Sequence, residues 1–184
     1  MLKKNVVNKM SEMGSNSSYR IVSFIIAIRD FLVNLDNVIK EIELQPGDIV
    51  LDYGCGIGSF SIPTAKTVGE KGKVYVLDIH PFALKRTKKK AQKNKLTNIE
   101  FIQSDCDTGL NDESVDIVLL YDVLKGLLTP QKQLEEFYRI LRPEGILCVK
   151  DFHFDDGKIL STITENNLFK LKIKGKKQFI FTKL

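Results

Sequence analysis

Two apolar patterns alternate along this chain. The first is short and dense: Ile49-Val50-Leu51, Val74-Tyr75-Val76-Leu77, Ile99 to Gln103, Val115-Asp116-Ile117-Val118-Leu119-Leu120-Tyr121 and Ile146 to Lys150 each have strand length. The fourth is apolar at nearly every position, as expected of a strand buried on both faces. The second pattern repeats at three and four residues and predicts helices over Ser59 to Val68, Phe82 to Lys95 and the stretch after Thr129-Pro130, where Leu134, Phe137, Tyr138 and Leu141 supply an inner face. Thr129 is the expected N-cap, with proline at the first helical position. Arg142-Pro143-Glu144-Gly145 predicts a turn into the fifth strand, and Asp156 to Asn166 one more helix. Leu168 to Ile173 and Gln178 to Thr182 flank Gly175-Lys176-Lys177 and predict a hairpin. Near the N-terminus, Ile21, Phe24, Ile28, Leu32, Leu35, Val38/Ile39 and Ile42 predict an amphipathic helix over Tyr19 to Ile42, preceded by the polar stretch Gly14 to Ser18 and ended by Pro46-Gly47.

Strands alternating with helices predict a parallel sheet with right-handed crossovers and helices on both faces. The terminal hairpin interrupts that alternation and predicts an antiparallel strand at the end of the chain. At 184 residues one domain is expected.

The most informative segment lies where the first strand becomes a helix. Asp52-Tyr53-Gly54-Cys55-Gly56-Ile57-Gly58 places three glycines two apart just after an acid. Glycine there accepts positive φ and keeps no Cβ between the backbone and a ligand. The second strand ends in Asp78, placed to accept hydrogen bonds from the vicinal hydroxyls of a ribose. Together these features predict a nucleoside cofactor. Dinucleotide-binding dehydrogenases use G-x-G-x-x-G instead; here the third glycine, Gly58, comes one residue early and Ser59 follows.

This pattern resembles the class I S-adenosylmethionine-dependent methyltransferases, most of all their small, type-11-like members acting on small molecules. The resemblance implies an α/β fold, a Rossmann-like doubly wound sheet, mostly parallel with an antiparallel C-terminal hairpin strand and helices on both faces. It implies one domain over 1–184, with 1–44 as an N-terminal helical lid segment and 45–184 as the cofactor-binding core. The implied cofactor is S-adenosyl-L-methionine, released as S-adenosyl-L-homocysteine. Gly54, Cys55, Gly56 and Gly58 would let the backbone approach it, and Asp52 would hold the turn or meet the ammonium group through water. Asp78 would take the ribose hydroxyls, and Ile79 would pack on the adenine. Asp105 would accept from the adenine amino group while the Cys106 N–H reaches a ring nitrogen. Tyr121 would line the methionine end, largely through its carbonyl.

Methyl transfer from a sulfonium needs orientation in a dry cleft, and a base only where the acceptor must lose a proton. The family's amide-methylating branches carry an Asn-Pro-Pro-Tyr-type segment where this chain has Tyr121-Asp122-Val123-Leu124, which disfavours nucleobase or protein-amide acceptors. Tyr121, Asp122 and His153 are the candidates for catalytic or polar substrate contact, and no general base is assigned. The lid residues Tyr19, Arg20 and Phe24 are expected to supply much of the pocket for an apolar or partly apolar acceptor, and a homodimer through the N-terminal helix is possible.

Charge and cysteine content add exclusions. The net charge of +5 is concentrated in Lys85, Arg86, Lys88, Lys89, Lys90, Lys93 and Lys95 and in Lys170 to Lys177. A solvated outer helix face is the expected reading. The alternative is an RNA-directed methyltransferase, or a non-catalytic nucleic-acid-associated protein using the basic helix 82–95. Three cysteines, no C-x-x-C pair and two distant histidines predict reduced thiols and no metal. No apolar run reaches membrane-spanning length, and Met1-Leu2-Lys3-Lys4 leads into polar sequence rather than a signal-peptide core. A cytoplasmic location is expected.

Overall fold

The computed structural model describes residues 36–127, 129–176 and 178–184. Most of the expected N-terminal helix, with Tyr19, Arg20 and Phe24, lies outside the described residues. Its last part is helix α1 (Asp36–Lys40).

The elements that follow are β1 (Ile49–Tyr53), α2 (Ser61–Val68), β2 (Lys73–Asp78), α3 (Pro81–Lys93), β3 (Ile99–Gln103), β4 (Val115–Tyr121), α4 (Pro130–Ile140), β5 (Leu141–Lys150), α5 (Asp156–Thr164), β6 (Phe169–Lys174) and β7 (Phe179–Lys183). They form one seven-stranded sheet in the order β3-β2-β1-β4-β5-β7-β6. Strands β1 to β5 run parallel, and β7 inserts antiparallel between β5 and the edge strand β6. The order reverses at β1, whose neighbours are β2 and β4, so the crevice outside the carboxyl ends of these strands is where an open α/β sheet binds its ligand.

Alternation along each strand feeds two cores. Leu51, Tyr53, Val118 and Leu120 face α4 and α5, meeting Phe137, Ile140, Ile159 and Ile163. Val50, Ile117, Leu119 and Tyr121 face the other side, meeting Val38, Ala65, Val68 and Ala83 from α1, α2 and α3. Burial on both faces explains the unbroken apolar character of β4. The far end of α2 is held by Asn98, whose amide nitrogen donates to the carbonyls of Ala65 and Gly69, each at 2.8 Å.

Local readings change in two places. Thr129 precedes α4, but its side chain makes no capping bond to the helix backbone, and its hydroxyl lies 3.3 Å from Gln133 Oε1. Strand β5 starts five residues earlier than expected, at Leu141, which pairs with Val115 before the register shifts and resumes at Ile146 with Ile117. Arg142 to Gly145 are therefore an excursion within the strand, with Arg142 ion-paired to Asp116. On α3, Ala83, Thr87 and Ala91 are buried while Lys85, Arg86, Lys88, Lys89 and Lys93 face solvent, as a solvated outer face requires. Among the described residues, no helix is long and apolar enough to cross a membrane.

Candidate functional site: a cofactor cleft at the carboxyl ends of β1, β2 and β4

The glycine turn needs its glycines for three different reasons. All three have left-handed backbones, with φ of 75° at Gly54, 53° at Gly56 and 74° at Gly58. A Cβ on Gly54 would lie 2.2 Å from Val123 Cγ1, and one on Gly58 would lie 2.7 Å from Thr87 Cγ2. Gly54 thus lets the β4–α4 connection close over the turn, and Gly58 lets α3 pack beneath it. At Gly56 a Cβ would meet nothing within 4 Å, so that backbone borders open space. The turn hangs on β2: the N–H groups of Gly54 and Cys55 both donate to the Leu77 carbonyl, at 2.8 and 3.1 Å.

Asp78 closes the same turn from the second strand. Its Oδ2 accepts the Gly56 N–H at 3.0 Å and its Oδ1 accepts the His80 N–H at 2.8 Å. A carboxylate has about four acceptor positions, so two backbone bonds leave it capacity for ligand hydroxyls. Burial pushes its pKa above the ordinary carboxylate value, and the two backbone donors oppose that shift.

Asp52 lies beneath the turn and is almost fully buried. Its Oδ2 accepts the Ser61 hydroxyl at 2.5 Å. Burial raises its pKa to about 6, opposed by the Ser61 bond and assisted by repulsion from Asp78. Two partly desolvated carboxylates near one glycine turn favour a cationic ligand. Cys55 is buried, and its thiol is held far above the ordinary range by burial and by Asp52 and Asp78, which leaves it a packing group rather than a nucleophile.

A cleft of about 220 Å³ opens beside this turn, bordered by Tyr53, Gly54, Asp78, Ile79, Asp105 and Val123. Gln133 also reaches it and helps fix the loop after β3, donating from Nε2 to the Asp105 carbonyl at 3.1 Å; the Tyr53 hydroxyl donates to the same carbonyl at 2.5 Å. Further along, Glu136 Oε1 accepts from both the N–H and the hydroxyl of Thr108, while Arg139 bridges Glu136 and Asp112. Burial alone would raise the Glu136 pKa; the bonds from Arg139 and Thr108 lower it overall, so it stays an anionic anchor for the loop. Among the described residues, no hydrogen bond is made to the Asp105 carboxylate, whereas the Cys106 N–H donates to Ser104 Oγ at 3.2 Å.

The other predicted residues separate into two groups. Tyr121 does not border this cleft: its ring packs on Phe60, with centroids 4.5 Å apart, and its hydroxyl donates to Gln178 Oε1 at 2.5 Å. Gln178 Nε2 in turn donates to the Val38 carbonyl at 2.9 Å, so the side chain of Tyr121 ties α1 to the sheet. Asp122 and His153 do come together, through Asp151, a residue not singled out in the sequence. Among the described residues, these three form the one group of potential ligand atoms gathered within 4.8 Å; Asp151 is bonded to His153, and Asp122 accepts the N–H of Phe152, which lies between Asp151 and His153 in sequence. The signal for Asp151 was present: β2, β4 and β5 are each followed or ended by an aspartate at the carboxyl edge, as Asp78, Asp122 and Asp151.

The fold, the glycine turn and the acids at the strand ends define a class I methyltransferase architecture. Residues 44–179 match the model of the methyltransferase domain family, and the chain belongs to that family. A ubiquinone/menaquinone biosynthesis C-methyltransferase from Blochmanniella floridana is 33% identical over 128 residues, covering 68% of this chain and 50% of the relative. A demethylmenaquinone methyltransferase from Oceanobacillus iheyensis is 29% identical over 136 residues, covering 73% and 57%. This chain thus spans about half the length of the curated relatives it matches. A solved SAM-dependent methyltransferase from Aquifex aeolicus superposes with a TM-score of 0.74 at 26% identity, covering 96% of this chain and 97% of that one.

Proposed function

We propose that this protein is an S-adenosylmethionine-dependent methyltransferase whose acceptor is a small, partly apolar molecule of the quinol type. The observation that carries the reading is the cleft at the glycine turn, where Gly56 borders open space and Asp78 closes the turn from β2. The cofactor residues proposed are Asp52, Gly54, Gly56, Gly58, Asp78, Ile79 and Asp105, with Cys55 and Cys106 contributing backbone only. When bound, the cofactor supplies an electrophilic methyl group on a sulfonium.

What the chain supplies is binding, orientation and charge. Asp78 and the glycine backbone would hold the ribose and amino-acid portions, and the loop carrying Asp105 would hold the adenine. Asp52 and Asp78 place negative charge where a sulfonium and an ammonium would add positive charge. Val123 and Leu127 add apolar side chains to the lining of the cleft that Asp78 also borders. In-line displacement gains most from such positioning. The names of the relatives support a quinol acceptor.

The test is transfer of label from methyl-labelled S-adenosylmethionine to a reduced demethylmenaquinone analogue, with ribosomal RNA offered in parallel. Label in the naphthoquinol is expected. Label in RNA alone would move the function to the exposed lysine face of α3.

A further inference from the structure

We propose that His153, positioned by Asp151, is the proton acceptor for the hydroxyl group of the methyl acceptor. The proposal rests on the methyl-transfer reading above and adds the residue that makes a weakly nucleophilic acceptor reactive.

Beyond Lys150 the chain leaves β5 at Asp151, whose side chain is 0% exposed, and bends over the three residues that follow. Asp151 Oδ1 accepts the backbone N–H of His153 at 2.8 Å and lies 3.2 Å from His153 Nδ1. Its Oδ2 accepts the Leu124 N–H at 3.1 Å. One buried carboxylate therefore holds both the imidazole and the connection after β4. That connection is the cleft wall: the residue before Leu124 is Val123, which packs onto Gly54. The imidazole and the cofactor turn are thus linked through two adjacent residues, at the edge of the sheet where ligands of such folds bind.

A carboxylate only accepts hydrogen bonds, so its contact at Nδ1 keeps the proton there and leaves Nε2 with a lone pair. The His153 side chain is 52% exposed, so a ligand can reach it. Asp122, held left-handed at φ 58°, accepts the Phe152 N–H on its Oδ1 at 3.1 Å and brings a second carboxylate to within 4.8 Å of the ring. Other charged groups on neighbouring elements include Lys125 after β4, Lys150 at the end of β5, Asp155, Asp156 and Lys158 at the start of α5, and Lys174 of β6, which is paired with Asp156. Asp151, in contact with Nδ1, orients the ring for the proton transfer.

The step balances. The acceptor hydroxyl gives its proton to His153 Nε2, and the freed oxygen electron pair is delocalised onto the adjacent ring carbon. That carbon forms the new bond to the methyl group while the sulfonium keeps the pair of the broken S–C bond and becomes a thioether. The ring carbon then releases its own proton to solvent as the electron pair returns to the oxygen and aromaticity is restored, and His153 gives its proton back to that oxygen, so one proton is released per methyl transferred.

The experiment uses the whole chain, with labelled S-adenosylmethionine as donor and a reduced 2-unsubstituted naphthoquinol as acceptor. It compares kcat/KM against pH for wild type, His153→Gln and Asp151→Asn. Affinity for S-adenosylhomocysteine is measured on all three by calorimetry, and long-range nitrogen-15 spectra report the imidazole tautomer, with His80→Gln separating the chain's two histidines. His153→Gln is expected to lower kcat about 10²-fold or more and to remove the acid limb of the profile without changing S-adenosylhomocysteine affinity. Asp151→Asn is expected to lower turnover less and to shift the ring from the Nδ1–H to the Nε2–H tautomer. The proposal is overturned by a wild-type Nε2–H tautomer, by an acid limb that survives His153→Gln, or by turnover within about threefold of wild type. A rate that follows added divalent cation and vanishes on chelation also overturns it. Failure of S-adenosylhomocysteine to bind wild type counts against the cofactor reading instead, and the tautomer still decides the pair.

Discussion

Gly54 and Val123 approach so closely that a β-carbon on the first would lie 2.2 Å from Cγ1 of the second. That contact joins the turn after β1 to the connection after β4, the two walls of the cleft. Gly54→Ala should therefore fail twice, through the clash and through a positive φ that alone costs roughly 1–3 kcal/mol. Gly54→Ala/Val123→Ala should recover part of the lost melting temperature and little of the S-adenosylhomocysteine affinity. Full recovery of both would reduce the glycine to a packing spacer.

Asp78→Ala should weaken cofactor binding by about 1–3 kcal/mol, the range for ligand groups left unpaired. It also removes the acceptor for the Gly56 and His80 N–H groups, so some loss of stability is expected. Asp78→Asn keeps one acceptor oxygen and separates the effects. Calorimetry on both variants checks this, and unchanged affinity in the folded fraction would make Asp78 purely structural.

The fold class was legible because it rests on local periodicity. The runs at 115–121 and 99–103 are dense and short, and the structure gives strands with those same bounds. The glycine turn was legible because φ and steric need are written in the residue type. What remained hidden joins residues far apart in sequence: Tyr53 with the Asp105 carbonyl, Asp151 with Leu124, and Gln178 with Val38. The packing of the Tyr121 side chain was hidden in the same way. Tyr121 ends a strand whose carboxyl edge borders the cleft, and β-strand alternation turns the ring to the opposite face, against Phe60, while the expectation for this residue rests largely on its carbonyl.

Tyr121→Phe should accordingly leave methyl transfer within about threefold of wild type while lowering stability by about 1–3 kcal/mol, since it leaves the buried Gln178 oxygen without its donor. Chemical denaturation and steady-state rates measured together check it. A collapse in turnover with unchanged stability would return Tyr121 to the catalytic site.

Asp52 should give the cofactor affinity a pH dependence of known sign. Its folded pKa, about 6, exceeds its reference value of 3.8, so between these values the folded protein binds more protons than the unfolded one. Its contribution to the free protein's stability therefore falls as pH rises through that window and is flat above it. Asp52→Asn, which keeps an acceptor for Ser61, should match wild type at low pH and exceed it near neutrality by about 1–3 kcal/mol. Binding of the cationic S-adenosylmethionine should weaken as pH falls below 6 in wild type, more than binding of the uncharged thioether S-adenosylhomocysteine. A pH-independent ratio of the two affinities would remove Asp52 from the cofactor's electrostatics.

The most direct measurement is calorimetric titration of the purified protein with S-adenosylhomocysteine and, separately, with NAD. Saturable binding of S-adenosylhomocysteine at micromolar or tighter strength is expected, lost or strongly weakened in Asp78→Ala, with no heat of binding for NAD. Micromolar binding of NAD with none of S-adenosylhomocysteine would contradict the assignment of this cleft.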